Sequence, residues 1–461
     1  MYRMGITFAT VMMMWTFALQ AQQSPEATRI DSITYQQYLQ KDYKNLIETS
    51  KQAQAQNIDF YYLNYRTAIA YYELKNYAKA AEFYKKTLAE TSTEPALLES
   101  LYYAYLLSGQ KNNADILAKS LAPHTQAAIG YSPSAMDFIA LSGGYLTNDN
   151  KPDLRSNFMG YDSLNQFQDM VFTTLGVGFK LSDKAKLKLG YQLYNTKFQR
   201  SNSTGLVKEE RLSQHQLIAG FDFFSDNNVT WGFAGAYYNI EKIDKAIPYT
   251  TTAVASATMG TRAGGYGPGG GGGGPGGGGF YYPSIYYTAS TGNTISAFSM
   301  LAFLNKRSAY TLPEIAVAYS NFGGGHQYQA KGSLTYYPLG NLDFYGTTAL
   351  AAIYNQNAWT GTQVVFSQNL GVKLAKSLWL DGAFSIGNHQ NYITGHSFLV
   401  YDTYDPVKAL AGASLSYFIK KTMLSAGYQW QQREGYAYSS TNYTTYKYNN
   451  HLLNLALQWN F

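Results

Sequence analysis

The chain closes on Leu453-Asn-Leu-Ala-Leu-Gln-Trp-Asn-Phe461. Leu453, Leu455, Leu457, Trp459 and Phe461 take every second position, and Asn454, Ala456, Gln458 and Asn460 fill the gaps. That two-residue period belongs to a strand with one oily and one wet face. A chain that stops on an aromatic residue at full alternation puts that ring at a membrane boundary, where barrel strands carry an aromatic girdle. The stretch predicts the closing strand of a transmembrane β-barrel.

Working outward, strands of about ten or more residues can be laid over the whole region 134–461. Fourteen candidates result: 134–147, 168–181, 184–199, 209–223, 227–240, 286–305, 308–320, 325–338, 341–354, 359–374, 376–388, 405–419, 422–437 and 444–461. In the third, Leu187, Leu189, Tyr191 and Leu193 oppose Lys186, Lys188, Gly190 and Gln192; in the twelfth, Ala411, Ala413, Leu415 and Tyr417 oppose Gly412, Ser414 and Ser416. The polar sets are expected to face the lumen. Links after the even strands are tight, as at Ser182-Asp183, Leu339-Gly340 and Lys420-Lys421, whereas 148–167, 241–285 and 389–404 follow odd strands and are long. Short periplasmic turns and long outer loops are the rule for such barrels. The first strand then rises from the periplasm, and both barrel ends share that side. A large β-sandwich or propeller would also show many short strands, but neither accounts for the terminal Phe461 and the alternating loop lengths together.

The totals agree. Of 461 residues, 46% are hydrophobic, 16% aromatic and only 14% charged, and Tyr alone occurs 44 times. After the first twenty positions no apolar run reaches the ~18 residues of a membrane helix, and mean hydropathy is −0.27. Cys is absent, which excludes disulfides, thiolate metal sites and thiol nucleophiles. The net charge of +6 is spread rather than clustered, so no nucleic-acid partner is expected. Arg3, the apolar stretch Ile6 to Leu19 and Ala21 read as a signal peptide cleaved after Ala21, a short membrane anchor being the alternative. Outer-membrane lipid is the expected surrounding of the barrel, and the C-terminal strand is the expected handle for outer-membrane assembly machinery.

Residues 22–130 form a different domain, ahead of the barrel at 131–461. Over 27–126 the period is helical and a repeat appears at 34 residues. Lys41-Asp42-Tyr43 recurs as Lys75-Asn76-Tyr77, Tyr71 as Tyr105, and Ala80 as Ala114. Small Ala residues let antiparallel helices approach and aromatics fill the seam. Ala68, Tyr71, Tyr77, Ala80, Tyr84, Leu88 and Pro95 resemble the pattern of the tetratricopeptide repeat (TPR); the family's first-helix Trp is missing, with Asn64 and Tyr65 near its place. The resemblance implies a small periplasmic solenoid that docks a periplasmic or envelope protein, with Tyr71, Tyr77, Ala80, Tyr105 and Ala114 at the seam. A capping or spacer role is the alternative.

Sequence features that carry chemistry are few. Lys180, Lys186, Lys188 and Lys373 fall on luminal positions near the periplasmic turns, either as a basic vestibule for anions or as lysines tolerated in a wet lumen. The loop 241–285 carries a Gly-rich run, Gly264 to Gly279, broken by Tyr266, Pro268 and Pro275 and followed by Phe280. It lacks the Gly-Lys-Ser/Thr of a phosphate loop; it is either a gate folding into the lumen or a mobile surface loop. Ser397 beside His396, with Asp402, is the nearest approach to a hydrolase, but neighbours in extended chain point apart. His215, His326, His389 and His451 stand singly, so neither a metal nor another cofactor is expected. An enzyme is not expected.

The order of signal peptide, periplasmic repeats and terminal barrel resembles exopolysaccharide-export porins and surface-lipoprotein assembly modulators. That resemblance of architecture implies transport or export across the outer membrane with the repeat arm recruiting a partner. The other reading is a non-conducting envelope scaffold or surface-interaction protein using its Tyr- and Gly-rich outer loops.

Overall fold

The computed structural model describes residues 25–90, 94–149, 163–201, 207–225, 228–245, 294–322, 325–356, 362–395, 399–400, 405–438 and 443–461. It divides into a helical unit and a β unit.

The helical unit contains α1 (Pro25–Leu39), α2 (Tyr43–Ala55), α3 (Tyr61–Glu73), α4 (Tyr77–Glu90), α5 (Pro95–Leu107), α6 (Lys111–Ser120) and the short α7 (Pro123–Ala128). Each of the first five packs on its successor. The 34-residue recurrence is written into the backbone. Lys41, Lys75 and Gly109 end α1, α3 and α5 at φ of 58°, 61° and 79°. In each the next N–H reaches back to a carbonyl inside the helix, Asp42 to Gln37, Asn76 to Tyr71 and Gln110 to Tyr105, all at 2.8 Å. This is the left-handed helix end that spares orphan carbonyls. Asp42 caps α2 through Asn45 N–H, and Pro95 opens α5, where its missing N–H is harmless.

The β unit is a closed barrel of β1 (Met136–Asn148), β2 (Ser163–Ser182), β3 (Ala185–Ser201), β4 (Val207–Phe224), β5 (Val229–Lys245), β6 (Thr294–Lys306), β7 (Thr311–Ser320), β8 (Gln327–Tyr336), β9 (Phe344–Asn355), β10 (Thr362–Ala375), β11 (Leu378–Gly387), β14 (Val407–Ile419), β15 (Thr422–Tyr438) and β16 (Tyr443–Asn460). Two short strands, β12 (Ile393–Thr394) and β13 (Leu399–Val400), pair only with each other. All fourteen barrel strands run antiparallel to their neighbours, as the alternation and link lengths predict. Strand limits depart at β6, which starts at Thr294 rather than 286, at β5, which ends at Lys245 rather than 240, and at β2, which starts at Ser163 rather than 168. Its first residues, Ser-Leu-Asn-Gln-Phe, lack the apolar period because they extend past the length that lipid dictates.

Closure runs from Phe138 opposite Asn460 to Asn148 opposite Asn450. Phe461 N–H adds a bond to Asp137 O at 3.0 Å. Both barrel ends therefore lie at the rim bearing the short turns. Leu453, Leu455 and Trp459 expose 61%, 69% and 53% of their surface, while Asn450 and Leu452 expose none. Leu217, Met300, Ile315, Val317 and Leu350 repeat this outward display on other strands. A belt of exposed aliphatic side chains around every strand is stable only in hydrocarbon. At the long-loop end the outer face turns polar-aromatic, with three Tyr hydroxyl to His Nδ1 pairs: Tyr191–His215 and Tyr428–His451 at 2.7 Å, and Tyr319–His326 at 2.8 Å.

Candidate luminal constriction

Near the short-turn rim, alternation turns charged side chains inward. Lys186 meets Asp137 at 2.8 Å, Lys188 meets Asp222 at 2.5 Å, Lys331 meets Glu314 at 3.4 Å and Lys373 meets Asp343 at 3.2 Å. Of the four lysines singled out by position, three are thus matched by carboxylates, and Lys180 also makes contacts. Four lysine–carboxylate pairs thus line the wall near this rim.

From the short-turn rim to the long-loop end, aromatic rings lie on the wall over glycines of neighbouring strands. A Cβ on Gly178 would meet Phe138 inside 3.0 Å, and likewise Gly144 with Phe172, Gly232 with Phe303, Gly371 with Tyr345 and Gly435 with Tyr446. Glycine leaves room for the ring, which then covers exposed backbone.

Chain following β11 packs against the inner face of the wall. Gly387, at φ +133°, lets the backbone leave the wall where a Cβ would strike Val364 O. His389, Gln390, Asn391, Tyr392, Ile393 and Thr394 are then all buried. Wall amides hold them: Gln327 Nε2 donates to Asn391 O and Gln329 Nε2 to Ile393 O, both at 2.6 Å. Ile393 N–H returns to Gln329 Oε1 at 2.8 Å, and Gln363 Nε2 reaches Gln390 Oε1 at 2.8 Å. Tyr392 and Ile393 join an apolar cluster with Phe172, Tyr194, Tyr238 and Leu452 from the wall. Where the chain returns to β14, Asp405 accepts from Tyr448 Oη at 2.7 Å beside the buried Arg433, whose guanidinium covers Phe167 at 5.4 Å. Asp405 stands outside the strands, and burial pushes its carboxyl up to about 7 against the opposing pull of Tyr448 and Arg433.

One Ser–His pair exists here, and it is not the one nearest in sequence. Ser385 Oγ lies 2.6 Å from His389 Nε2, while His389 Nδ1 faces Val407 O at 3.1 Å. Both residues are sealed from solvent. Burial lowers the His389 pKa to about 4, which makes it a weak base. The pair ties the inserted segment to β11. His396, Ser397 and Asp402 lie outside the described residues, as does the Gly-rich loop with Tyr266, Pro268, Pro275 and Phe280. Among the described residues no group of three His, Asp or Glu could hold a metal.

In the helical unit the seam residues serve internal packing. Ala80 and Ala114 are fully buried, Tyr71 stacks on Phe83 at 5.5 Å, Tyr77 meets Tyr72 at 5.0 Å, and Tyr105 packs on the cluster around Leu97 and Leu101. A partner cannot touch a buried Ala, so any docking face must use other side chains, such as the exposed Tyr35 and Tyr62.

No family model matches the chain, and no curated protein matches it. Among solved structures, the toluene transporter TodX of Pseudomonas putida is 11% identical, with TM-score 0.41, covering 75% of this chain and 94% of its own. A FadL homologue of Pseudomonas aeruginosa is 9% identical at TM-score 0.40, covering 70% and 90%. A bacterial polysaccharide outer-membrane secretin is 9% identical at TM-score 0.35, covering 72% and 100%. At these values the likeness adds nothing to what the strand pairing already establishes.

Proposed function

We propose that the protein is an outer-membrane transport or export barrel, closed in this state by the inserted segment 388–395, with a periplasmic TPR-like arm that docks a partner protein. The observation that carries the reading is the seating of that segment. It rests largely on uncharged side-chain hydrogen bonds to the wall, which water can replace when the segment leaves. A wall held shut by its own packing would need no such segment. The short-turn rim is taken as periplasmic by the general asymmetry of these barrels.

The test is to replace 388–394 with a short Gly-Ser linker and record current in planar bilayers. The expected result is a near-silent parent protein and a steadily conducting variant. A folded variant that stays silent would sink the transport reading and favour the envelope scaffold.

A further inference from the structure

The three helical hairpins divide their charges. The first helices, α1, α3 and α5, contain no lysine, while every lysine of the six helices lies on α2, α4 or α6. Lys41 and Lys75 stand in the turns that follow α1 and α3. The two arginines of the first helices are already matched: Arg29 to Glu26 at 2.5 Å and Arg66 to Asp31 at 2.7 Å. Glu73 and Glu99 have no ion-pair partner among the described residues.

These carboxylates share stripes with tyrosines. On α3, Tyr62, Tyr65, Ile69, Tyr72 and Glu73 follow the three- and four-residue spacing of one helix face, as do Asp31 and Tyr35 on α1 and Glu99 and Tyr103 on α5. The stripes are stitched side by side. Arg66 lies between the rings of Tyr35 and Tyr62, at 5.1 and 5.3 Å from their centroids. Tyr61 Oη donates to Glu94 Oε2 at 2.6 Å across to the start of α5. Tyr72 is pushed above its ordinary pKa by burial first, then by the nearby Tyr77, Tyr103, Glu73 and Glu99, so its hydroxyl lies near both carboxylates. Tyr35 and Tyr62 are about half exposed.

Ring faces beside unmatched carboxylates attract cations, by cation–π contact and by charge. Arg66 shows the chemistry from within the chain. We propose that the α1, α3 and α5 face binds a cationic, Lys- or Arg-bearing segment of an envelope protein, with Glu73 and Glu99 taking its charges and Tyr62, Tyr72 and Tyr103 its side-chain stems. This rests on the partner-docking reading and gives it a chemistry.

The test uses the full chain in detergent and fluorescein-labelled peptides of Lys-Ala-Pro, Gln-Ala-Pro and Glu-Ala-Pro repeats, read by anisotropy. The Lys peptide should bind at least roughly tenfold more tightly than the other two and weaken in high salt. Glu73→Gln with Glu99→Gln should remove that preference, and Tyr62→Ala should weaken binding several-fold. Glu48→Gln with Glu82→Gln, on α2 and α4, should leave it unchanged. Equal binding of the three peptides, no binding of any, or indifference to Glu73→Gln/Glu99→Gln overturns the proposal. A photo-crosslinker at Tyr62 keeps the two levels apart. Capture of a neutral or acidic envelope segment there would leave docking standing and remove the cationic assignment, whereas no capture would remove docking as well.

Discussion

Gln329→Ala is the sharpest perturbation of the inserted segment's seating. Gln329 makes two bonds to the inserted segment, Nε2 to Ile393 O at 2.6 Å and Ile393 N–H to its Oε1 at 2.8 Å. A typical bond is worth about 0.5–1.5 kcal/mol net, and a buried group left unpaired loses about 1–3 kcal/mol. Ile393 is fully buried, so truncation strands both its N–H and its C=O. Seating should weaken by roughly 2–4 kcal/mol, which at 1.4 kcal/mol per decade is about two orders of magnitude in the open-to-closed ratio. Gln327→Ala removes one bond, to Asn391 O at 2.6 Å, and should move the ratio by about one order. The assay is open probability of purified protein in planar bilayers, with barrel folding checked by heat-modifiable gel mobility. Gln458→Ala is the control, since that luminal amide bonds Asn460 at the short-turn rim, far along the wall from the segment. A folded Gln329→Ala as silent as the parent would refute the reasoning. So would an equal effect from Gln458→Ala, which would reduce it to general loosening.

Other outcomes are expected. Asp405 has a seated pKa of about 7 against an ordinary 3.8, so its contribution to seating is full below the lower value and lost as pH rises through the upper. His389, at about 4 against 6.5, runs the other way: its contribution is full above 6.5 and lost as pH falls through about 4. Asp405→Asn should therefore open more as pH falls from 6.5 to 4, and His389→Gln should open more as pH rises from 4 to 7; slopes of the same sign would contradict this. Gly178→Ala must displace the Phe138 ring and should lower barrel stability to urea by about 1–3 kcal/mol, whereas Gly332→Ala, with nothing near its Cβ, should change it by less than about 0.5 kcal/mol. In the helical unit, Gly109→Ala should cost about 1 kcal/mol and Lys41→Gly should be neutral to stabilising, judged by the melting of the helical signal.

The strands were legible because hydrocarbon outside requires an apolar residue at every second position, and Leu453 to Phe461 shows that demand undiluted. The fourteen-strand count followed from the same pattern plus loop lengths. The inserted segment was not legible. Its partners Gln327 and Gln329 stand 64 residues from Asn391 and Ile393, and no local period records such a pairing. The amide-rich run Asn388-His-Gln-Asn391 between Gly387 and Gly395 was the available signal, since polar side chains with nowhere local to bond look for a distant wall. Composition drew attention to the Gly-rich loop instead. For the lysines, no local pattern names the partner: Asp137 lies 49 residues from Lys186 and became its neighbour only through strand register.

The proposed closure by an inserted segment, rather than by the wall, is consistent with how the wall is built. Phe138, Phe172, Phe303, Tyr345 and Tyr446 lie against the barrel because Gly178, Gly144, Gly232, Gly371 and Gly435 leave them room. Flattened rings do not cross a lumen of this strand number. Residues 389–394 are held by bonds to β8, β9 and β10 at one end, and Asp405 with Tyr448 on β16 anchors the return. Substitutions of the wall glycines should therefore change barrel stability without changing conductance, and substitutions of Gln327, Gln329 or Asp405 should change conductance with the barrel intact. If Gly178→Ala altered open probability as strongly as Gln329→Ala, wall and segment would be one packed body and the segment would not be the gate.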